Sequence, residues 1–354
     1  MACKDETTRP SPDGPQVGAT GVNEPAGRDI PDGQAKAGGS RWKEAAKRTF
    51  AEFADDQLSD RAAALTYYSV LSIFPGLLVV VSLLGLFGTS TKPLVDNLTQ
   101  AAPSNVQTLI KPVTANLQSG HASAGFAAIL GIVLAVWSAS AYIAAFMRAS
   151  NVIYDVPEGR PFWKTTPTRV GVTVLIMLML VASALIVVVS GGLARHVGQV
   201  LGIGSTAVTV WNIAKWPVLL IIVILMISIL YWVAPNAKRQ RGFRLFSPGG
   251  VIAVVVWLIA SALFAFYVGN FSHYNKTYGS IAGVIIMLIW LWISNLAILF
   301  GAEFNAELER GRAAEAGGVP LGQEPYVELR DTRKLRKQRK WAEGTGASQQ
   351  EGAR

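Results

Sequence analysis

The sequence has 354 residues, of which 51% are apolar and only 16% are charged. Soluble domains carry about 25% charged residues, and here the charges gather near the two ends and in two internal loops, which excludes a soluble globular protein. The single cysteine, Cys3, excludes an intrachain disulfide. The net charge of +9 fits a membrane protein whose cytoplasmic loops are rich in Lys and Arg.

The first part of the chain divides into a polar tail and an amphipathic helix. Residues 1–40 are rich in Pro and Gly and poor in bulky apolar residues, so we expect a disordered tail. From Arg41 onward, Trp42, Ala46 and Phe50 recur at helical spacing between charged residues. This pattern predicts an amphipathic helix on the cytoplasmic side, which either lies on the membrane surface or packs against the membrane domain.

Six apolar runs follow, each long enough to cross the hydrocarbon core as a helix. Lys and Arg are frequent before the first run and in every second connection, and are scarce in the connections between. Under the positive-inside rule this alternation places both termini in the cytoplasm. The sequence therefore predicts an all-α, polytopic membrane domain over 41–310, with spans at about 67–88, 124–147, 170–192, 211–233, 249–269 and 280–302.

Three stretches carry a resemblance to a known family: RAAALTYYSVLSIFPGLL from Arg61 to Leu78, NVIYDV from Asn151 to Val156, and the segment from Tyr274 to Leu308. Together they resemble the BrkB/YihY family of bacterial inner-membrane proteins. The resemblance implies six spans and an inner-membrane location, and some members are linked to serum resistance or envelope lipid export. Members also once carried the name ribonuclease BN, and the resemblance supplies no catalytic residues.

Polar residues inside the predicted spans are the candidates for a cavity or a gate, because polar groups in lipid usually face the bundle interior. Ser69, Ser72 and Pro75 cluster in the first span, where the proline should kink or break the helix and free the carbonyl of Leu71. The alternative is a packing kink in which Ser72 or Ser69 satisfies that carbonyl.

The last span contributes Asn295 and Glu303, which lie eight residues apart and hence on nearly one face. We expect the Asn295 amide to hydrogen-bond across helices. For Glu303 the alternatives are solvation, pairing with Arg148 or Arg61, or a proton-coupling role.

The turn before the last span holds Tyr274, Asn275 and Tyr278, which are either interfacial anchors or a gate that contacts lipid headgroups. Residues 311–354 form a basic cytoplasmic tail. Its cations are either simply solvated or bind anionic lipid headgroups, and nucleic acid is a distant third because aromatic residues are scarce among them. The candidate lipid contacts are Arg333, Lys334, Arg336, Lys337, Arg339 and Lys340.

No catalytic constellation, metal-ligand spacing or cofactor fingerprint is found in the sequence. We therefore expect no cofactor and no enzymatic activity, with membrane lipids as partners. The leading hypothesis is a transporter or flippase-like exporter of a lipid or amphiphile in envelope biogenesis. A non-catalytic scaffold for envelope machinery is the second hypothesis, and a membrane-tethered ribonuclease is the third.

Overall fold

The computed structural model describes residues 39–86, 122–188, 205–238, 242–270, 280–316 and 326–351. Within these ranges the chain is helical, and an isolated bridge between Ala237 and Leu329 is the extended pairing found there. In chain order the helices are α1 Gly39–Asp55, α2 Leu58–Leu86, α3 Ala122–Ile153, α4 Phe162–Val188, α5 Ser205–Val233, α6 Pro248–Asn270, α7 Ser280–Glu315 and α8 Arg333–Glu351.

Four helices among the described residues are long and apolar enough to cross a membrane: Phe162–Val187, Thr209–Val233, Pro248–Asn270 and Ala282–Glu315. Their outward faces carry large apolar side chains, such as Leu263 and Phe266, which are 66% and 71% exposed. A contiguous apolar surface of this kind requires lipid or another protein around it. The predicted span at 124–147 falls within α3, and α2 covers the predicted span at 67–88 up to Leu86, where the described residues end; these helices are 32 and 29 residues long.

The bundle is held together by contacts of α2 with α3 and of α7 with α6, α2 and α1. Helices α6 and α7 approach each other closely where a Cβ atom at Gly249 would overlap the backbone carbonyl of Gly301. A Cβ at Gly301 would in turn overlap the Gly249 carbonyl and lie 2.7 Å from the Cβ of Ala253. Glycine is therefore required at both positions for the two backbones to touch.

The sequence left open whether the first helix lies on the membrane surface or packs against the membrane domain. α1 packs against α7, with the ring of Trp42 5.6 Å from that of Phe304 and the ring of Phe50 5.2 Å from that of Phe300. Of the two placements considered for this helix, the structure adopts packing against the membrane domain.

Of the kink or break expected at Pro75, the break is absent, because α2 continues through this residue to Leu86. A proline removes the donor for the carbonyl four residues earlier, and Ser138 of α3 donates to this carbonyl of Leu71 over 3.4 Å. Ser69 and Ser72 instead donate to the carbonyls of Leu65 and Ser69 in their own helix. The prediction that one of these two serines satisfies Leu71 was wrong.

The end of the chain also differs from the expected free tail. α7 continues past residue 310 to Glu315, and Tyr326, Val327 and Asp331 are buried against the bundle. The basic residues from Arg333 onward form α8. Residues 1–38 lie outside the described part of the chain, so the predicted disordered tail is tested only at its last two residues, which begin α1.

Candidate functional site

Polar side chains concentrate at one end of the bundle, which we call the charged end. It is formed by α1, the loop at 154–161, the segment at 234–238 and residues 326–332. Buried charges and amides here form two separate networks, and a third polar group lies further along α7 inside the bundle.

The first network, the buried ion cluster, combines acidic side chains from α1, the turn between α1 and α2, the turn after α3 and α7 with two arginines. Glu303 and Glu307 are each only 1% exposed, and Arg310 is 5% exposed. Burial of this many ionisable groups is costly unless they are paired. The members of the cluster are Arg48, Glu52, Asp56, Asp155, Glu303, Glu307 and Arg310.

Arg310 is the centre of the buried ion cluster. Its guanidinium lies 3.2 Å from both Glu52 and Glu307 and forms a short ion pair with Asp155. It also lies 4.8 Å from the centre of the Tyr326 ring, a cation–π arrangement. Burial raises the pKa of the Tyr326 hydroxyl well above its ordinary value, so this group stays neutral. One cation thus joins α1, the turn after α3, α7 and the C-terminal segment.

The geometry around Asp155 follows from the NVIYDV stretch. Asp155 has φ +50°, and the amides of Asp155 and Val156 donate to the carbonyls of Val152 and Asn151. This is the Schellman pattern that ends a helix with one left-handed residue. Asp tolerates that conformation better than most residues, and its carboxylate is thereby directed towards Arg310.

Glu303 is the least compensated member of the buried ion cluster. The negative charges of Asp56, Glu307 and Glu52 oppose the ionisation of its carboxyl, and the positive charge of Arg310 favours it. Its Oε2 atom is buried and has no hydrogen-bond partner among the described residues. A buried carboxylate surrounded by other carboxylates is strongly disfavoured in its charged form, so the site is suited to holding a proton.

The partners considered for Glu303 from the sequence lie elsewhere. Arg148 is exposed and stacks 6.0 Å from the Tyr68 ring. Arg61 donates from Nε to the backbone carbonyl of Asp56 at 2.8 Å. The predictions of solvation and of pairing with either arginine were therefore wrong.

Two turns further into the bundle, Asn295 joins three helices. Its Oδ1 accepts a hydrogen bond from the hydroxyl of Tyr142 at 3.0 Å, and its Nδ2 donates to Thr66 at 3.1 Å and to Ser69 at 3.5 Å. The amide makes the interhelical bonds expected from the sequence. Asn295, the fully buried Leu299, Glu303 and Glu307 follow one another at four-residue spacing, so they share one face of α7.

The second network at the charged end, the loop network, is built on Asn236. This side chain, which is fully buried, donates to the carbonyls of Pro157 and Asp331 at 3.1 and 2.9 Å and accepts from the Asp331 amide. The backbone N–H of Asn236 donates to Asn151 Oδ1 at 2.7 Å. These bonds join the loop after α3, the end of α5 and the C-terminal segment.

Arg160 completes the loop network through a bidentate pair with Glu158, at 2.8 and 2.7 Å. It also donates to the carbonyls of Val233 and Ala234 at the end of α5. Burial tends to raise the pKa of Glu158, but the hydrogen bonds and charge of Arg160 outweigh it and lower that pKa. The hydrogen bond from Lys164 is the main reason that the pKa of Asp331 is lowered.

The remaining predicted site residues are placed as follows. Ser72 donates to the carbonyl of Ser69 within α2, whereas Ser69 reaches Asn295. Tyr274, Asn275 and Tyr278 lie outside the described residues. The basic side chains proposed as lipid contacts are all exposed on α8: Arg333, Lys334, Arg336, Lys337, Arg339 and Lys340.

Sequence reasoning missed Glu307 and Arg310, the best-connected members of the buried ion cluster. A signal was present, because Glu303, Glu307 and Arg310 continue the apolar face of α7 at helical spacing. Within the part of the chain that the structure describes, no three His, Cys, Asp or Glu side chains are grouped so that they could hold a metal ion.

Comparison with known proteins decides the family. The family model described as virulence factor BrkB matches residues 49–322. This chain belongs to the BrkB family. As a member of this family, it is 32% identical over 264 residues to the ribonuclease-like protein YfkH of Bacillus subtilis, covering 75% of this chain and 94% of the relative.

A second relative carries only a general membrane-protein name. This BrkB-family chain is 27% identical over 300 residues to the UPF0761 membrane protein XCV0968 of Xanthomonas euvesicatoria, covering 82% of this chain and 67% of the relative. No solved structure matches the chain. The comparisons confirm the resemblance noted in the sequence and establish a membrane protein.

Proposed function

We propose that this protein is a proton-coupled exporter of a lipid or amphiphile in the bacterial envelope. In this proposal it lies in the inner membrane, crosses it six times and keeps both termini in the cytoplasm. The charged end then faces the cytoplasm, where Lys and Arg are retained during insertion.

The observation that carries the proposal is the acid excess around Glu303. Ionisable residues in membrane domains are costly and usually functional. Here four buried carboxylates and Asp155, whose side chain is 9% exposed, lie with two arginines, or with three if Arg61 beside Asp56 is included. A purely structural cluster is expected to balance its charges, as the neighbouring loop network does.

In this proposal the excess of carboxylates gives the protein two charge states, one with a proton on Glu303 and one without it. With a proton on Glu303 the cluster holds less negative charge, and α1, α2 and α7 can stay closely packed around it. Loss of this proton adds a buried negative charge, which favours an arrangement that admits water or separates the carboxylates. The face of α7 that carries Glu303 also carries Asn295, whose bonds to α2 and α3 are the next contacts to change.

The test uses purified protein in proteoliposomes with fluorescently labelled phosphatidylglycerol as the probe and an imposed pH gradient. We expect the wild-type protein to move the label faster with the gradient than without it. Glu303→Gln should reduce this difference to that of protein-free vesicles. Glu315→Gln is the matched control, because Glu315 lies on the same helix in a more exposed pair with Arg41.

A cellular arm tests the proposal without choosing a cargo. A deletion strain should show a changed envelope lipid profile that the wild-type gene restores and that Glu303→Gln and Asn295→Ala do not. An unchanged profile in the deletion strain, together with no movement of the labelled lipid by the wild-type protein, would reject export.

The scaffold hypothesis is favoured by a different observation, the loop network. Its amides and charges are paired with backbone groups of three segments, as expected of a rigid platform. If the protein is a scaffold, Glu303→Gln should complement a deletion strain fully. The name of the Bacillus relative, a ribonuclease-like protein, leaves a ribonuclease as the third hypothesis. Incubation of the purified protein with labelled RNA tests it directly.

A further inference from the structure

A cavity of about 340 Å³ lies between the first turns of α4 and the C-terminal segment at 326–332. Its size is within the usual range for small-molecule sites, roughly 300–1,000 Å³. It is separate from the buried ion cluster, and the export proposal does not use it. Its lining includes Arg160, Trp163, Lys164, Thr168, Arg330 and Asp331.

The charge of this lining favours an anion. Of the three cationic side chains, Lys164 is paired with Asp331 at 2.6 Å and Arg160 with Glu158 at 2.7 Å, so the cations exceed the acids by one. The Lys164 ammonium has three donors, so the pair leaves hydrogens that can reach a ligand, and the side chain is 43% exposed. The lining is thus positive overall even with the Lys164–Asp331 pair intact.

The cations are held in position before any ligand arrives. Arg330 donates to the backbone carbonyl of Trp232 at 2.8 Å, and its guanidinium lies 5.7 Å from the Trp232 ring. Arg160 is fixed by Glu158 and by the end of α5. Fixed donors lose little conformational freedom on binding, which strengthens recognition of a rigid anion such as phosphate.

The position of the cavity indicates where such an anion would come from. α4 is one of the helices apolar enough to cross a membrane, and the cavity lies at its first turns. Phe162 and Trp163 are 74% and 58% exposed there, and aromatic residues at the end of a span are typical of headgroup depth. Arg333 and Lys334 begin α8 beside the cavity, where their amides bond to Asp331 and Gly159.

We propose that this cavity binds the phosphate group of an anionic phospholipid, with Lys164 and Arg330 as the principal contacts and Trp163 against the glycerol and upper acyl region. The chemistry recognised is a phosphate anion, which a lipid headgroup or a free phosphate could supply. The exposed aromatic residues Phe162 and Trp163 beside the cavity favour the lipid, as does the position of the cavity at the first turns of a helix that can span a membrane.

The experiment measures binding of short-chain phosphatidylglycerol to the purified full-length protein in a neutral detergent, with phosphatidylcholine and inorganic phosphate as the other probes. Near a membrane surface each basic residue contributes about 1 kcal/mol, or about fivefold in affinity. We expect Lys164→Gln and Arg330→Gln each to weaken phosphatidylglycerol binding about fivefold. Lys164→Arg should retain binding.

Lys43→Gln is the matched control, because it removes the same charge from an exposed position on α1 outside the cavity. It should change the affinity less than twofold. Equal weakening by all three Gln variants would overturn the proposal in favour of general surface attraction. Preference for phosphatidylcholine, or no saturable binding of any probe, would overturn it as well.

The inorganic phosphate arm separates the two sources of the anion. Binding of the lipid without competition by millimolar phosphate supports a headgroup site, whereas saturable binding of phosphate alone replaces the lipid in the proposal. Because Lys164→Gln leaves Asp331 without its partner, thermal unfolding is measured for each variant. Arg330 is exposed, so Arg330→Gln is expected to fold normally and keeps the test decisive.

Discussion

The two polar networks at the charged end use the same kinds of side chain but differ in charge balance. In the loop network, Glu158 and Asp331 are matched by Arg160 and Lys164. In the buried ion cluster the carboxylates outnumber the arginines, and one Glu303 oxygen has no hydrogen-bond partner among the described residues. Balanced pairing is what a structural joint requires, whereas retained excess charge requires another explanation, for which we propose proton coupling.

The largest effect is expected from Arg310→Gln in the buried ion cluster. Three ion pairs are lost and their carboxylates stay buried, so the free energy of unfolding should fall by about 3–5 kcal/mol. Denaturant or thermal unfolding in detergent measures the loss. Arg336→Gln, on the exposed face of α8, serves as the control and should change the stability by less than about 0.5 kcal/mol.

A loss for Arg310→Gln no greater than that for Arg336→Gln would show that the cluster is hydrated and does not hold the helices together. Adding Glu303→Gln to Arg310→Gln should recover part of the lost stability, because one uncompensated carboxylate is removed. If the double variant is less stable than Arg310→Gln alone, Glu303 contributes a favourable pair of its own.

A smaller change in the free energy of unfolding is expected when a glutamate is replaced by glutamine. This change should be a loss in the loop network, and no loss or a slight gain in the buried ion cluster. Glu158→Gln should destabilise the protein by about 2 kcal/mol, because charge-assisted bonds to the buried Arg160 are weakened. Glu303→Gln should leave the stability unchanged or raise it slightly near pH 7, since it removes an acid from among acids. Unfolding of both variants under one set of conditions checks the signs.

Equal destabilisation by these two variants would remove the distinction between the networks. The export proposal would then lose its main support, since Glu303 would be an ordinary structural partner. A stable Glu303→Gln protein that has lost its response to a pH gradient is the combination expected for a proton site.

The sequence predicted the helices and their apolar faces well, because lipid leaves a strong and local signal in composition. The interhelical role of Asn295 was also predictable, since a deep amide in a span needs a partner. The pairing of Arg310 with Glu52 and Asp155 was not, because it depends on α1 and the turn after α3 packing on the same end of α7. Likewise, no local pattern indicates that Ser138 supplies the donor for Leu71.

The smallest effect expected is a loss of stability in acid that originates in the loop network. The pKa of Glu158 and that of Asp331 are lowered in the folded protein from ordinary values of 4.5 and 3.8. The unfolded chain therefore binds protons at a higher pH than the folded chain, so the stabilisation is complete above these ordinary values and declines as the pH falls through the lowered ones.

Unfolding measured between pH 6 and pH 3 should show this decline, and the double variant Glu158→Gln/Asp331→Asn should flatten it while lowering stability at pH 6. Glu328→Gln is the control, because its carboxylate is also paired, with Lys238, but is 76% exposed; screening by water leaves such a pair little influence on stability. A decline that persists in the double variant would place the acid sensitivity outside the loop network. The contrast between the balanced and the unbalanced network would then rest on the stabilities of Glu158→Gln and Glu303→Gln alone.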